Sequence, residues 1–106
     1  MADYADLYAS TVPVARHVDL PSGGRSLYFR EMTIYETQKF GASQRSADPE
    51  VRTAGVLELI AAVWVNEDGS PATTPALARK LKPQTADAIF AAIFPSDEDA
   101  GDEGNG

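Results

Sequence analysis

The sequence predicts an α+β domain in which an N-terminal β-hairpin is followed by about four α-helices around a central apolar helix. Three observations carry that prediction. Residues 12–31 alternate apolar and polar side chains on either side of a glycine-rich turn, which is the period-2 pattern of paired strands. Residues 54–65, Ala-Gly-Val-Leu-Glu-Leu-Ile-Ala-Ala-Val-Trp-Val, hold a single charge, Glu58, and are apolar round nearly the whole helical wheel. Such a helix belongs in the middle of a domain, and it is too short for a membrane span of ~20 residues. Finally, Ala86, Ile89, Phe90 and Ile93 fall at i, i+3, i+4 and i+7, a helical stripe.

Taken in order, residues 1–11 show no sustained period and read as a flexible lead-in, although Tyr4, Leu7 and Tyr8 have the spacing of one helical turn. From residue 12 to residue 20, Val14, Val18 and Leu20 share one strand face, interrupted by Arg16, and Pro13 suits a strand start because it cannot donate to a ladder. Pro21-Ser22-Gly23-Gly24 is a tight-turn signal, since glycine supplies positive φ without steric cost. In the strand that follows, over 25–31, Leu27 and Phe29 face one way and Tyr28 and Arg30 the other. A hairpin alone is marginal in water, so the Leu27/Phe29 face must rest on something, and the central helix is the obvious support.

Thr33 and Glu36 have capping-box spacing and predict a helix over 34–45. Asp48 followed by Pro49 opens the next helix, which runs through the apolar stretch to about residue 65. Asn66-Glu67-Asp68-Gly69-Ser70-Pro71 ends it with a turn, and Thr73 or Thr74 before Pro75 starts a short helix through Leu77 to Leu81. Pro83 stops that helix and is a candidate opening for the last one, whose apolar stripe runs over 85–94 and is closed by Pro95. The domain therefore spans 12–95, and residues 96–106 read as a disordered acidic tail. On this scheme, truncating Leu57, Ile60 or Trp64 to alanine costs ~2–5 kcal/mol each.

Composition narrows the chemistry. A chain of 106 residues can bury one core without covalent staples. With no cysteine, disulfides, thiolate metal sites and a cysteine nucleophile are excluded. Net charge is −7, of which the tail carries −5 on Asp97, Glu98, Asp99, Asp102 and Glu103. Phosphate affinity comes from Lys and Arg, so nucleic acid is not an expected partner. The start lacks a basic region and an apolar region of the secretory kind, and a soluble intracellular protein is expected.

No catalytic or metal-binding constellation is present. His17 is the only histidine and has no sequence neighbour of metal-ligand type. Asn66-x-Asp68-Gly69 resembles the middle of a calcium loop, but Trp64 and Pro75 occupy the flanking ligand positions. Ser22-Gly23-Gly24-Arg25 lacks the spacing, the closing Lys-Ser/Thr and the following helix of a phosphate loop. Serine and threonine nucleophiles have no histidine base at a plausible distance, and nothing pushes Glu31 and Glu36 into acid and base roles. The expected protein is not an enzyme and carries no metal or cofactor. What remains are residues suited to binding a partner. Tyr28 and Arg30 are types enriched at interface hot spots. Tyr35 and Phe40 give the first helix more aromatic surface than its packing needs. The last helix offers Ile89, Phe90, Ile93 and Phe94, although such a stripe more often packs within its own domain.

Leu27-Tyr28-Phe29-Arg30-Glu31-Met32-Thr33 after a Gly-Gly turn resembles a segment of the small tail assembly chaperones of long-tailed (siphovirus-like) phages. The resemblance continues through the apolar helix ending in Asn66-Glu67-Asp68-Gly69-Ser70-Pro71. It continues again through Ala76-Leu77-Ala78-Arg79-Lys80-Leu81-Lys82-Pro83 and the short apolar helix beyond, covering roughly 12–94 in the family's order. It implies a non-enzymatic assembly factor of the host cell cytoplasm, not carried in the mature virion. Such proteins bind the tape measure protein, keep its apolar helical segments soluble and promote tail tube assembly. The implied partners are therefore the tape measure protein and the tail tube protein; apart from the resemblance, self-association is open, and neither nucleic acid nor membrane is expected. Family members are commonly made in two forms by translational frameshifting, which would extend the chain beyond its acidic end. No family binding motif maps onto this chain, so Phe40, Phe90, Ile93 and Phe94 are nominated as client surface from their chemistry. The alternative is a small structural virion protein, a head–tail connector or tail-terminator subunit, which would persist in purified particles where a chaperone would not.

Overall fold

The structure, a computed structural model, describes residues 4–94. The acidic tail inferred for 96–106 lies outside the described residues. The architecture is mixed α+β, with a three-stranded antiparallel sheet and four helices.

Strand β1 (Val14–Leu20) pairs antiparallel with β2 (Gly23–Phe29) in a register that runs from Val14 opposite Phe29 to Leu20 opposite Gly23. The connection is tighter than the Pro-Ser-Gly-Gly turn predicted, because both glycines join the ladder and only Pro21 and Ser22 remain outside it. The positive φ the turn needs falls on Gly23, at +125°. As the alternation predicts, Val18, Leu27 and Phe29 are buried on one face while Ala15, His17 and Asp19 are exposed. Val14 departs from that pattern and stays exposed, although its ladder partner Phe29 is buried.

Helix α1 (Ile34–Gln44) begins with the predicted capping box. Thr33 Oγ1 accepts from the Glu36 amide, and the Glu36 carboxylate accepts from the Thr33 amide at 2.9 Å. Helix α2 (Pro49–Val63) starts as predicted with Asp48 at the N-cap, accepting from the Glu50 amide, and Pro49 in the first turn. Its C-terminal end differs from the prediction. Trp64 and Val65 leave the helix to form β3, which pairs antiparallel with β2 through Tyr28 opposite Val65 and Phe29 opposite Trp64. Two β-compatible residues at a helix end cannot be told from a last helical turn by periodicity alone, so the hairpin was legible and the third strand was not.

After β3 the chain turns at Asn66–Ser70, where Gly69 has φ +90° and Asp68 accepts from both the amide and the hydroxyl of Ser70. Those bonds hold the Asp68 carboxyl below the usual carboxylate range. The calcium-loop resemblance thus resolves into a hydrogen-bonded turn. Helix α3 (Pro75–Ala78) is one turn long, shorter than expected, and is capped by Thr74. Helix α4 (Pro83–Ile93) opens at Pro83, the candidate start, two residues before its apolar stripe begins.

One cluster forms the core: Val18, Leu27 and Phe29 from the sheet, Leu59, Ile60 and Val63 from α2, and Ile89, Ala92 and Ile93 from α4. The hairpin face therefore rests on two helices and not on α2 alone, with α4 packed against β1. Helix α2 buries Gly55, Leu59, Ile60 and Val63, while Val51, Thr53 and Glu58 are exposed. Leu57, expected in the core, is half-buried and outside this cluster; Trp64 packs against it from β3. Before the sheet, a single 3-10 turn at Ala5–Leu7 leaves Tyr4, Leu7 and Tyr8 exposed, and Ser10 ties the segment to the body through its amide on the Glu31 carboxylate at 2.6 Å.

Candidate partner-binding surface

Helix α1 contributes no fully buried side chain, which is unusual for an eleven-residue helix packed on a domain. Three contacts hold it. At its N-terminal end, the Arg30 guanidinium grips the Glu36 carboxylate with both terminal nitrogens, one of them at 3.0 Å. At mid-helix, Phe40 meets Phe90 and Phe94 of the α4 region at ring-centroid distances of 5.6 and 6.0 Å, and those two rings lie 5.1 Å apart. At its C-terminal end, Ser43 closes on Gly55 of α2, and Gln44 Nε2 donates to the Arg52 carbonyl at 2.9 Å.

Between these anchors α1 and α2 do not close. They leave an apolar groove of about 410 Å³. Tyr35, Lys39 and Phe40 form one wall, while Val51, Ala54, Glu58, Leu59 and Ala62 form the other. Tyr35 and Val51 are exposed at 69% and 42%, so apolar surface on both walls is in water. The Lys39 ammonium lies 3.6 Å from the Glu58 carboxylate and 6.0 Å from the centre of the Tyr35 ring. A second, more polar groove of about 660 Å³ runs between the lead-in and the start of α1, where Asp6, Arg16, Arg30 and Glu31 accompany Leu7, Tyr8 and Ile34.

The residues nominated from sequence fall into three groups. Tyr35 and Phe40 line the α1–α2 groove, and Phe40, Phe90 and Phe94 converge as one half-buried aromatic cluster. Ile93 is only 8% exposed and belongs to the core. Tyr28 is half-buried on the sheet face opposite Leu27 and Phe29, beside Val65. Arg30 follows the strand and is committed to Glu36, which makes it a bracket for α1 and not an outward hot spot. Sequence reasoning missed the α2 wall of the groove. Its signal was Gly55 in the middle of a helix, a position glycine occupies at a cost unless something packs close.

The Arg30–Glu36 pair also sets a pH dependence. The hydrogen bonds from Arg30, its charge and the Thr33 cap together hold the Glu36 carboxyl below its ordinary value of 4.5. The same pairing raises the guanidinium. A folded-state value below the unfolded one means the unfolded chain binds the extra proton. The stabilisation is therefore complete above the ordinary value and is lost as pH falls through the lowered one. Glutamine at this position keeps the capping reach but loses the charge. Glu36→Gln is expected to lower stability by about 1–2 kcal/mol at neutral pH, after allowing for solvent screening. Thermal melts taken toward acid should show the gap to the parent closing below the ordinary glutamate range; a gap independent of pH would rule this pair out as the cause.

Among the described residues no three acidic or histidine side chains converge as a metal site, and no helix is long and apolar enough to cross a membrane. His17 is paired with Asp19 at 2.7 Å on the exposed strand face. What the fold and surface define is a small α+β domain presenting an open apolar groove. Compared with known protein families, curated proteins and solved structures, the chain matches none of them.

Proposed function

We propose that the chain is a tail assembly chaperone of a long-tailed phage. It acts in the host cytoplasm on the tape measure protein, keeping it soluble and promoting tail tube assembly around it. The sequence resemblance over 12–94 supports this reading, and the α1–α2 groove is the single structural observation that carries it. A tape measure client is long, helical and apolar along its helices. Its holder needs an exposed apolar trough about one helix wide, with aromatic anchors. Tyr35 and Phe40 supply the anchors, and Val51, Leu59 and Ala62 supply the aliphatic wall. In this reading α2 is the central element of the domain, one face packed in the core and the other turned to the client. The acidic tail keeps the loaded pair apart from other pairs by charge repulsion.

Co-expression with a helical tape measure fragment tests the proposal. The fragment is expected in the soluble fraction with the full chain and in the pellet without it. Equal precipitation in both cases would reject the holder role. Finding the protein in many copies in purified particles would instead favour a structural virion subunit.

A further inference from the structure

We propose that two copies of the chain cover each other's α1–α2 groove, so that self-pairing regulates client access. The regulatory part rests on the chaperone reading; the pairing itself does not. The argument begins with symmetry. In a two-fold contact the same patch meets itself, so its charges must complement their own rotated image. A patch of one sign would repel its copy. This groove carries charged side chains from three residues, and Glu36 is already matched by Arg30. That leaves one cation, Lys39, on the α1 wall and one anion, Glu58, on the α2 wall. With the two-fold axis passing between these two side chains, each lysine would face the glutamate of the other copy. The apolar part is self-complementary in the same sense, since exposed Tyr35 is a projecting anchor and Leu59 and Phe40 lie recessed behind it.

The existing pair is free to exchange. Lys39 and Glu58 stand at 3.6 Å, and their side chains are 60% and 53% exposed. An exposed pair at that separation contributes little within one chain. Between chains, with the apolar walls closed over it, the same pair is drier and stronger. A client helix would have to bring a cation and an anion at this spacing; a second copy has them by construction. Client binding then displaces the second copy, and the free protein is stored with its apolar surface out of water.

Sedimentation velocity on the full chain at low salt tests this with two variants, each checked for its fold by circular dichroism. The parent is expected to dimerise. Lys39→Glu and Glu58→Lys should each weaken dimerisation at least about tenfold, because like charges then face each other twice. An equimolar mixture of the two variants should dimerise again, since both contacts of a mixed pair are once more a cation opposite an anion. Within each variant chain the pair stays broken, so recovery on mixing can come only from contact between chains. A monomeric parent, or a mixture that stays monomeric, overturns the proposal. The outcomes separate from the client test: a monomer that keeps the client soluble removes the pairing alone, and a dimer that fails the client removes the chaperone reading alone.

Discussion

Ile60→Ala should destabilise the domain by about 2–5 kcal/mol, more than any other single truncation in α2. Ile60 has no exposed surface and sits where α2, α4 and the sheet meet. Three carbons are lost there, and the neighbours are fixed by two helices and a ladder, so the void cannot collapse freely. That loss is a large share of the ~5–15 kcal/mol typical of a domain this size. Urea unfolding of the parent and the variant measures it directly. Leu57→Ala is the internal comparison: half-buried and outside the cluster, it should cost clearly less. Equal losses at the two positions would mean that the packing around Ile60 is not what sets stability.

Gly55→Ala is expected to destabilise, against the usual sign for a helix interior. Replacing a helical glycine by alanine ordinarily adds about 1 kcal/mol of stability through backbone entropy. Here a Cβ on Gly55 would lie 2.0 Å from Ser43 Oγ and 2.6 Å from Ser43 Cβ. Rotating the serine hydroxyl away would break its bond to the Phe40 carbonyl, and the Cβ clash would remain. Helix α1 must therefore move outward, and overpacking of this kind costs about 1–3 kcal/mol. The net outcome is a loss of up to about 2 kcal/mol and a wider groove. Ser43→Gly in the same chain removes both clashing atoms, so the double variant should recover much of the loss relative to Ser43→Gly alone. If Gly55→Ala raises the melting temperature, the two helices are not in contact at this point.

These two positions also show what the sequence could and could not reveal. Ile60 was legible because an almost uncharged dodecamer has to be buried somewhere, and the caps at Thr33 and Asp48 were legible because they are local chemistry, while the third was narrowed only to Thr73 or Thr74. The hairpin followed from alternation about a turn. The third strand was hidden because Trp64 and Val65 continue an apolar helix pattern, and only pairing to Tyr28 and Phe29 makes them a strand. Leu57 was misplaced for a related reason: a helix apolar on every side does not announce which side faces the core. The aromatic cluster was half visible. Phe40, Phe90 and Phe94 were all nominated, but their convergence depends on how α1 lies across α4. Of the groove, only the α1 wall was legible through Tyr35 and Phe40, since its opening exists only where two helices fail to close.

A helix anchored at its two ends and by one ring between them, with nothing of its own sealed inside the molecule, is the part of the fold that detaches most cheaply. Its amides are expected to exchange with solvent faster than those of α2 and α4 in a hydrogen-exchange experiment. The width of the trough is therefore set by those attachments alone, and loosening any one of them is expected to change it.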